Sequence, residues 1–199
     1  MPEHHPPCPI GTRQGAGPDP AALFADYARR WPDEQAVAMQ FAGLLDDPAD
    51  PFVRGRLAGH FTGSAWLVDM AGERVLLTHH RKLGRWLQLG GHADGDRDLA
   101  RVALREAEEE SGLPGLVVED LPFDIDRHWI PGRDDVPGHW HYDVRYVVRT
   151  TGGEDFVVSD ESLALAWRDI REIAMDAASD ASMERMARKW LARTEASVR

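Results

Sequence analysis

The sequence has few of the residues that disulfide-bonded and zinc-ribbon domains require. It contains one cysteine in 199 residues, Cys8, so an intramolecular disulfide and a zinc site of the Cys-x-x-Cys type are both excluded. Basic residues are also scarce, with 23 Lys and Arg against 34 Asp and Glu and a formal net charge of -11. This charge disfavours contact with a polyanionic backbone, and we expect no nucleic-acid partner.

Long apolar segments are missing as well. No uncharged apolar run approaches the roughly 18 residues that cross a bilayer. The N-terminal sequence also lacks the apolar stretch of a signal peptide. We therefore expect no membrane association and a cytoplasmic location. A composition with 43% hydrophobic and 29% charged residues is typical of one globular domain with an appendage.

The first 57 residues differ in composition from the rest of the chain. Residues 1–20 hold six of the thirteen prolines, which predicts a disordered arm. Residues 21–57 carry apolar side chains at helical spacing on both sides of Pro32, which predicts an N-terminal extension of two short helices. Its apolar content is the only basis for a further hypothesis, that the protein forms a homodimer through this extension.

Residues 58–195 alternate between strand and helix patterns. Strands predicted at 60–69 and 73–80 form a hairpin, and later strands are predicted at 116–121, 126–130, 142–149 and 164–168. A helix over 98–111, with Asp96 or Asp98 as its N-cap and Gly112 just after its end, follows a pair of glycines. A second amphipathic helix closes the domain. This order predicts an α/β fold.

Three glutamates share one face of the first of these helices. Glu106, Glu109 and Glu110 stand at positions i, i+3 and i+4. They repel one another and lie near the helix C-terminus, where the macrodipole disfavours negative charge. A bound cation would compensate, and carboxylate oxygens suit Mg²⁺ or Mn²⁺ better than zinc. A solvated acidic face would show the same spacing, so the wider sequence pattern must distinguish a metal site from such a face.

That wider pattern is Gly91, thirteen intervening residues and then Arg105-Glu106-Ala-Glu-Glu-Glu-Ser-Gly112-Leu113. It resembles the box of the Nudix hydrolase family, G-x5-E-x7-R-E-U-x-E-E-x-G-U with U aliphatic, at eight of nine defined positions. The run HH-x-K-L-x-x-W-x-x-x-G-G-H also resembles a subgroup of that family. The resemblance implies a Nudix α/β/α sandwich with a mixed sheet.

Arg97 is the one departure, because it stands where the family has a glutamate that is chiefly structural. Asp96 or Asp98 is a candidate for that role, by pairing with Arg101 or Arg105.

The resemblance also implies an activity, the metal-dependent hydrolysis of a nucleoside diphosphate linked to another moiety. The implied cofactor is Mg²⁺, with Mn²⁺ as the alternative, held by Glu106, Glu109 and Glu110 with the Gly91 carbonyl. The general base is either one of these glutamates or Glu161, which precedes a predicted strand.

Substrate-binding candidates flank the box. Arg81 and Lys82 lie in a basic run that is either a phosphate clamp or a solvated loop. Trp86 either stacks on a base or belongs to the core. His92 directly follows Gly91 and is expected to face the substrate.

One more polar pattern lies outside the box. His139, His141 and Asp143 share one face of a predicted strand, a spacing that can bind a transition metal. Polar residues that face a pocket or solvent give the same pattern.

Two other functions stay open at this stage. A noncatalytic Nudix ligand sensor is favoured by Arg97 and opposed by the retained glutamates. An isopentenyl-diphosphate isomerase of the same fold needs a cysteine in its pocket, and Cys8 lies in the predicted arm. The substrate itself is left open among nucleoside triphosphates, nucleotide sugars, ADP-ribose and dinucleoside polyphosphates.

Overall fold

The computed structural model describes residues 17–81, 84–133, 136–158, 162–176 and 179–197. Most of the predicted arm, residues 1–20, lies outside this part of the chain, as do Cys8, Lys82 and Glu161. The expectations for these residues stay predictions.

Helices and strands alternate along the described chain. The helices are α1 (Pro20–Arg30), α2 (Gln35–Leu45), α3 (Leu99–Ser111), α4 (Ile170–Met175) and α5 (Ala181–Ser197). The strands are β1 (His60–Val68), β2 (Arg74–His80), β3 (Trp86–Leu87), β4 (Leu89–His92), β5 (Leu116–Val118), β6 (Asp124–Ile130), β7 (His139–Thr150) and β8 (Ser162–Asp169). A short 3-10 turn at Pro32–Glu34 separates α1 from α2, where Pro32 predicts a break.

The strands form one mixed sheet. Its centre is the parallel pair β1 and β7, which run side by side from His60 opposite His141 to Val68 opposite Arg149. Strands β2 and β4 pair with β1 in antiparallel register, and β5 and β6 do the same with β7. Strand β2 continues the sheet to β3 and β8.

Helices cover the sheet on both faces. Side chains of β1 alternate, so that Phe61 packs in a cluster with α1, α2 and α3, while Trp66 packs in a cluster with α4 and α5. On the first face Gly63 lies against Leu99 and Val102 of α3, which brings the helix close to the sheet. These layers confirm the predicted α/β/α sandwich with helices ahead of the sheet.

Several sequence predictions differ from the structure in detail. Strand β7 begins at His139, three residues before the predicted start, because it continues its pairing with β6. Helix α4 was not predicted. It has six residues, which are too few to show a helical spacing of apolar side chains. Its sequence signal is the N-cap residue Asp169, whose side chain accepts hydrogen bonds from the backbone N–H groups of Arg171 and Glu172.

Candidate active site

The helix that carries the three glutamates is capped at both ends by its own sequence. The Asp98 side chain accepts a hydrogen bond from the backbone N–H of Arg101 at 3.2 Å, and Gly112 ends the helix in the left-handed region at φ 66°. Val102 and Ala107 are buried against the sheet. Helix α3 therefore has a fixed rotation about its axis, and this rotation sets the direction of the glutamates.

Two of the three glutamates lie against the backbone of β4. A Cβ atom built on Gly91 would lie 2.5 Å from the carboxyl carbon of Glu106, so only a glycine leaves room for this carboxylate. The backbone N–H of Gly90 donates a hydrogen bond to Oε1 of Glu110 at 2.8 Å. The diglycine therefore contacts two carboxylates of α3.

The third glutamate and the box arginine complete the group. Arg105 donates to Oε1 of Glu106 at 2.8 Å and to the His92 carbonyl at 3.2 Å. Glu109 is 64% exposed and has Oε1 3.9 Å from Nε of Arg105. Burial, followed by the charge of Glu109, raises the pKa of Glu108, so the acidic segment is costly to ionise fully.

Arg97 points away from this group. Its side chain is 63% exposed, lies 3.3 Å from the Asp50 carboxylate and covers the ring of Phe52 at 4.8 Å. Asp96 instead forms a two-pronged ion pair with Arg101, at 2.7 and 2.5 Å. Burial would raise the pKa of Asp96, but the hydrogen bond from Arg101 helps to bring it below its ordinary value.

Of the pairings that the sequence leaves open, the structure contains that of Asp96 with Arg101. Asp98, the other candidate for the structural role, serves as the N-cap of α3 instead. Arg105 pairs with Glu106.

The donor set fits a hard divalent cation. Glu106 and Glu110 supply carboxylate oxygens at the diglycine, and Gly91 lacks the Cβ that would fill this space. Oxygen ligands of this kind bind Mg²⁺ or Mn²⁺. The resemblance of the box implies a divalent metal, and the chemistry of these oxygen donors is compatible with one.

The structure separates the predicted substrate-binding residues. Arg81 follows β2 and is exposed. Trp86 contacts His79 in β2 at 5.2 Å between ring centroids, and it packs at the edge of the cluster formed with α4 and α5. The His92 ring lies beside His60 and His141, on the face of the sheet opposite α3. The substrate-binding role of each stays a prediction.

Sequence reasoning missed one cation beside the site. Arg54 forms a two-pronged ion pair with Asp94, and the pKa of Arg54 is raised mainly by this hydrogen bond, with a smaller contribution from the charge of Glu106. Asp94 itself has a φ of 49°. No motif connects residues 54 and 94, so only the folded chain reveals this pair.

Asp143, which the sequence groups with His139 and His141, has partners of its own. It is buried and accepts hydrogen bonds from Thr62 at 2.8 Å, Ser64 at 2.7 Å and Arg145 at 2.7 Å. Burial would raise the pKa of Asp143, but the charge of Arg145 helps to keep it below its ordinary value. This carboxylate therefore holds β1 and β7 together.

Comparison with known proteins identifies the family. The family model of the NUDIX domain matches residues 60–190. The chain belongs to the NUDIX domain family. The Nudix assignment made from the box is confirmed, as is the enzyme class, a Nudix-type diphosphate hydrolase.

Solved structures of Nudix proteins share the fold. A NUDIX-family hydrolase from Clostridium perfringens is 26% identical, with a TM-score of 0.54 over 68% of this chain and 97% of that chain. An Ap4A hydrolase binary complex from C. elegans is 18% identical, with a TM-score of 0.52 over 68% and 98%. The Nudix hydrolase RenU from M. smegmatis is 21% identical, with a TM-score of 0.50 over 71% and 89%.

Two further comparisons bear on the expectations from sequence. No protein of curated function matches this Nudix chain in sequence. In the described parts of the chain, no helix combines the length and apolar content that crossing a membrane requires.

Proposed function

We propose that this Nudix protein is a Mg²⁺-dependent hydrolase that cleaves the diphosphate linkage of a nucleoside diphosphate joined to another moiety. The observation that carries the proposal is the meeting of α3 with β4. There Glu106 and Glu110 contact the backbone of Gly91 and Gly90. Two carboxylates held against a backbone in this way are suited to bind a cation, and the same cation can bind a diphosphate.

The residues at the site would divide the work as follows. Glu106, Glu109 and Glu110 would hold the ion, and the Gly91 carbonyl would be a further oxygen ligand. A divalent ion there neutralises diphosphate charge and lowers the pKa of an attacking water. Arg105 fixes the Glu106 carboxylate by its hydrogen bond at 2.8 Å. Mn²⁺ would occupy the same oxygen ligands.

Other groups would bind the remaining substrate charge. Arg54 is 61% exposed beside the carboxylates and can contact a phosphate oxygen after leaving Asp94. Arg81 and Lys82 are proposed for a more distant phosphate, and Trp86 and His92 for the rest of the substrate. The proton acceptor is either a box glutamate or Glu161.

The test is a phosphate-release screen over nucleoside triphosphates, nucleotide sugars, ADP-ribose and dinucleoside polyphosphates, each with Mg²⁺ and with Mn²⁺. We expect Glu106→Gln and Glu110→Gln to lower kcat by about 100-fold or more while the fold is retained. Glu108→Gln is the matched control, because Glu108 lies on the same helix but has no contact with the diglycine among the described residues. Wild-type turnover in both site variants would refute the metal-site assignment.

The two rival functions have less support. Arg97, the basis for a ligand sensor, lies with Asp50 and leaves the carboxylates in place. The isomerase needs a cysteine, and Cys8 lies outside the described residues. A cytoplasmic location and the absence of nucleic-acid and membrane partners stay predictions.

A further inference from the structure

Five histidines meet at one end of the sheet. His60 begins β1, His92 ends β4, His128 lies in β6, and His139 and His141 begin β7. Strand pairing places His60 beside His141, His92 beside Thr62 and His128 beside His141. Because side chains alternate along strands, these imidazoles share the face opposite α3.

Three of the five rings are arranged around a common point. One ring nitrogen each of His60, His92 and His141 lies within 4.8 Å of those of the other two, and the ring centroids are 4.9 to 5.1 Å apart. A tetrahedral zinc ion with bonds of about 2.0–2.1 Å holds its nitrogen ligands about 3.3 Å apart. Small side-chain rotations therefore bring the three nitrogens to coordination distance.

His60 has an unpartnered nitrogen inside this cluster. Its side chain is 1% exposed, and Nδ1 contacts the Arg56 carbonyl at 3.3 Å, so this nitrogen carries the proton and donates it. Nε2 of His60 is buried and has no hydrogen-bond partner among the described residues. A buried lone pair without a partner is unfavourable unless a cation or a donor faces it.

His139 supports the ring of His141. Nδ1 of His139 donates to the Pro137 carbonyl at 2.9 Å, which leaves Nε2 as an acceptor, 3.2 Å from Nε2 of His141. Metal-ligating histidines are commonly held by a second hydrogen bond of this kind.

The three imidazoles are in the protonation state that binds metals. Burial, together with neighbouring positive charge, lowers the pKa of His92 to about 4 and that of His141 to about 3, and burial also lowers the pKa of His60. Neutral imidazole is the ligand form, and it suits Zn²⁺, Co²⁺ or Ni²⁺ rather than Mg²⁺.

We propose that His60, His92 and His141 form a binding site for a divalent transition metal ion, with Zn²⁺ the best-matched ion. The site is distinct from the carboxylate group in position and in chemistry. Gly91 faces α3 and Glu106, whereas the next residue, His92, faces the opposite side of the sheet. The ion would join β1, β4 and β7.

The test uses full-length protein purified without a polyhistidine tag and treated with chelator. Elemental analysis after Zn²⁺ loading and desalting should give one zinc per chain. Co²⁺ titration should give visible d–d absorption that Zn²⁺ removes and excess Mg²⁺ does not. His92→Ala and His141→Ala should each weaken Zn²⁺ binding by about 100-fold. His60→Ala is a third variant, but circular dichroism must show that it folds, because His60 is fully buried.

Three controls locate the ion. His79→Ala removes a histidine of β2 whose ring lies beside Trp86, outside the cluster, and this variant should bind zinc fully. A variant with His4, His5 and Cys8 replaced by alanine should also keep it. Glu106→Gln with Glu110→Gln should lose hydrolysis but retain zinc, which separates this proposal from the proposed activity. Failure to retain zinc in the wild type, unchanged binding in both His92→Ala and His141→Ala, or loss of zinc in the glutamate variant would overturn the site.

Discussion

The substitution of arginine for the first box glutamate has a local consequence only. Arg97 reaches outward to Asp50 and Phe52, and Asp96 pairs with Arg101 within the same loop. The loop before α3 therefore keeps an acid–base pair, although a different one from that of the family pattern. Among the described residues, Arg97 contacts Asp50 and Phe52 and none of the proposed metal ligands.

We predict that Arg97→Glu is tolerated. The change removes an exposed ion pair and places a carboxylate near Asp50, so the free energy of unfolding should change by less than about 1 kcal/mol. Turnover should be little changed, because Arg105 is already paired with Glu106. Thermal melting and kinetics on the best substrate measure both quantities. Arg97→Lys is the control, and a marked rise in both values for Arg97→Glu alone would show that the loop is poorly held.

At the scale of elements, the proposed function depends on how closely α3 approaches β4. The two glycines of β4 face opposite sides of the sheet, as neighbouring strand residues do. A Cβ on Gly91 would meet the flexible end of Glu106, whereas a Cβ on Gly90 would meet the Ser64 backbone at 2.8 Å. Alanine at these two positions should therefore have different effects.

We predict that Gly91→Ala inactivates the protein without unfolding it. The methyl group displaces the Glu106 carboxylate, and a displacement of about 1 Å at a catalytic group can cost about 100-fold in rate. Steady-state kinetics and thermal melting test this. Near-normal kcat in Gly91→Ala would argue against a role for Glu106.

Gly90→Ala, in contrast, should destabilise the fold. Its methyl group meets backbone that cannot move without disturbing β1, so we expect a loss of about 1–3 kcal/mol in the free energy of unfolding. Urea denaturation measures it. A fully stable Gly90→Ala would show that β4 can shift away from β1.

At the scale of the whole molecule, a buried charge network connects the sheet to both helical layers. Asp124 of β6 accepts hydrogen bonds from Arg145 of β7 at 3.0 Å and from Arg185 and Lys189 of α5 at 2.7 Å. Lys189 also donates to the Tyr27 hydroxyl of α1 at 2.7 Å. Burial would raise the pKa of Asp124, but the hydrogen bond from Arg185 and the surrounding charges hold it below its ordinary value.

We predict that this network makes the fold sensitive to acid. A carboxylate whose pKa is lower in the folded state than in the unfolded state stabilises the fold at pH values above its unfolded pKa of about 3.9. This stabilisation is lost as the pH falls through the pKa of the folded state. Urea denaturation from pH 7 to pH 3 should show falling stability below about pH 4. Asp124→Asn should lower the free energy of unfolding by about 3–5 kcal/mol at pH 7, because it leaves buried cations without their counter-charge. The stability of this variant should also depend less on pH. An identical pH dependence in the variant would contradict this role.

The N-terminal extension is part of the core. Phe24 and Phe41 contact Phe61 of β1 at ring-centroid distances of 5.7 and 6.1 Å, and all three are buried. The apolar content that suggests a dimer interface is therefore largely used within one chain. A homodimer stays a hypothesis, and light scattering after size-exclusion chromatography tests it against the monomer mass of 22.2 kDa.

We predict that Phe41→Ala destabilises the whole domain by about 3–5 kcal/mol, because it leaves a cavity between α2 and the sheet. Met39→Ala is the matched control, since Met39 lies on the same helix and is 65% exposed. Chemical denaturation should show one cooperative transition for both. A separate early transition in Phe41→Ala would show that the extension folds apart from the sheet.

The sequence alone determined the features that depend on local spacing. The end of α3 at Gly112, the break at Pro32, and the box from Gly91 to Leu113 can all be identified along the chain, because each depends on residues that are close in sequence. The N-cap of α3 is narrowed to Asp96 or Asp98, and the structure shows that it is Asp98. Tertiary structure decided which distant residues meet. The parallel pairing of β1 with β7 brings His60 to His141, and the loop at Arg54 reaches Asp94, although no sequence period connects these positions. The separation of the carboxylate and histidine sites onto opposite faces has the same origin. It follows from the alternation of strand side chains, once the register of β4 against β1 is fixed by the fold.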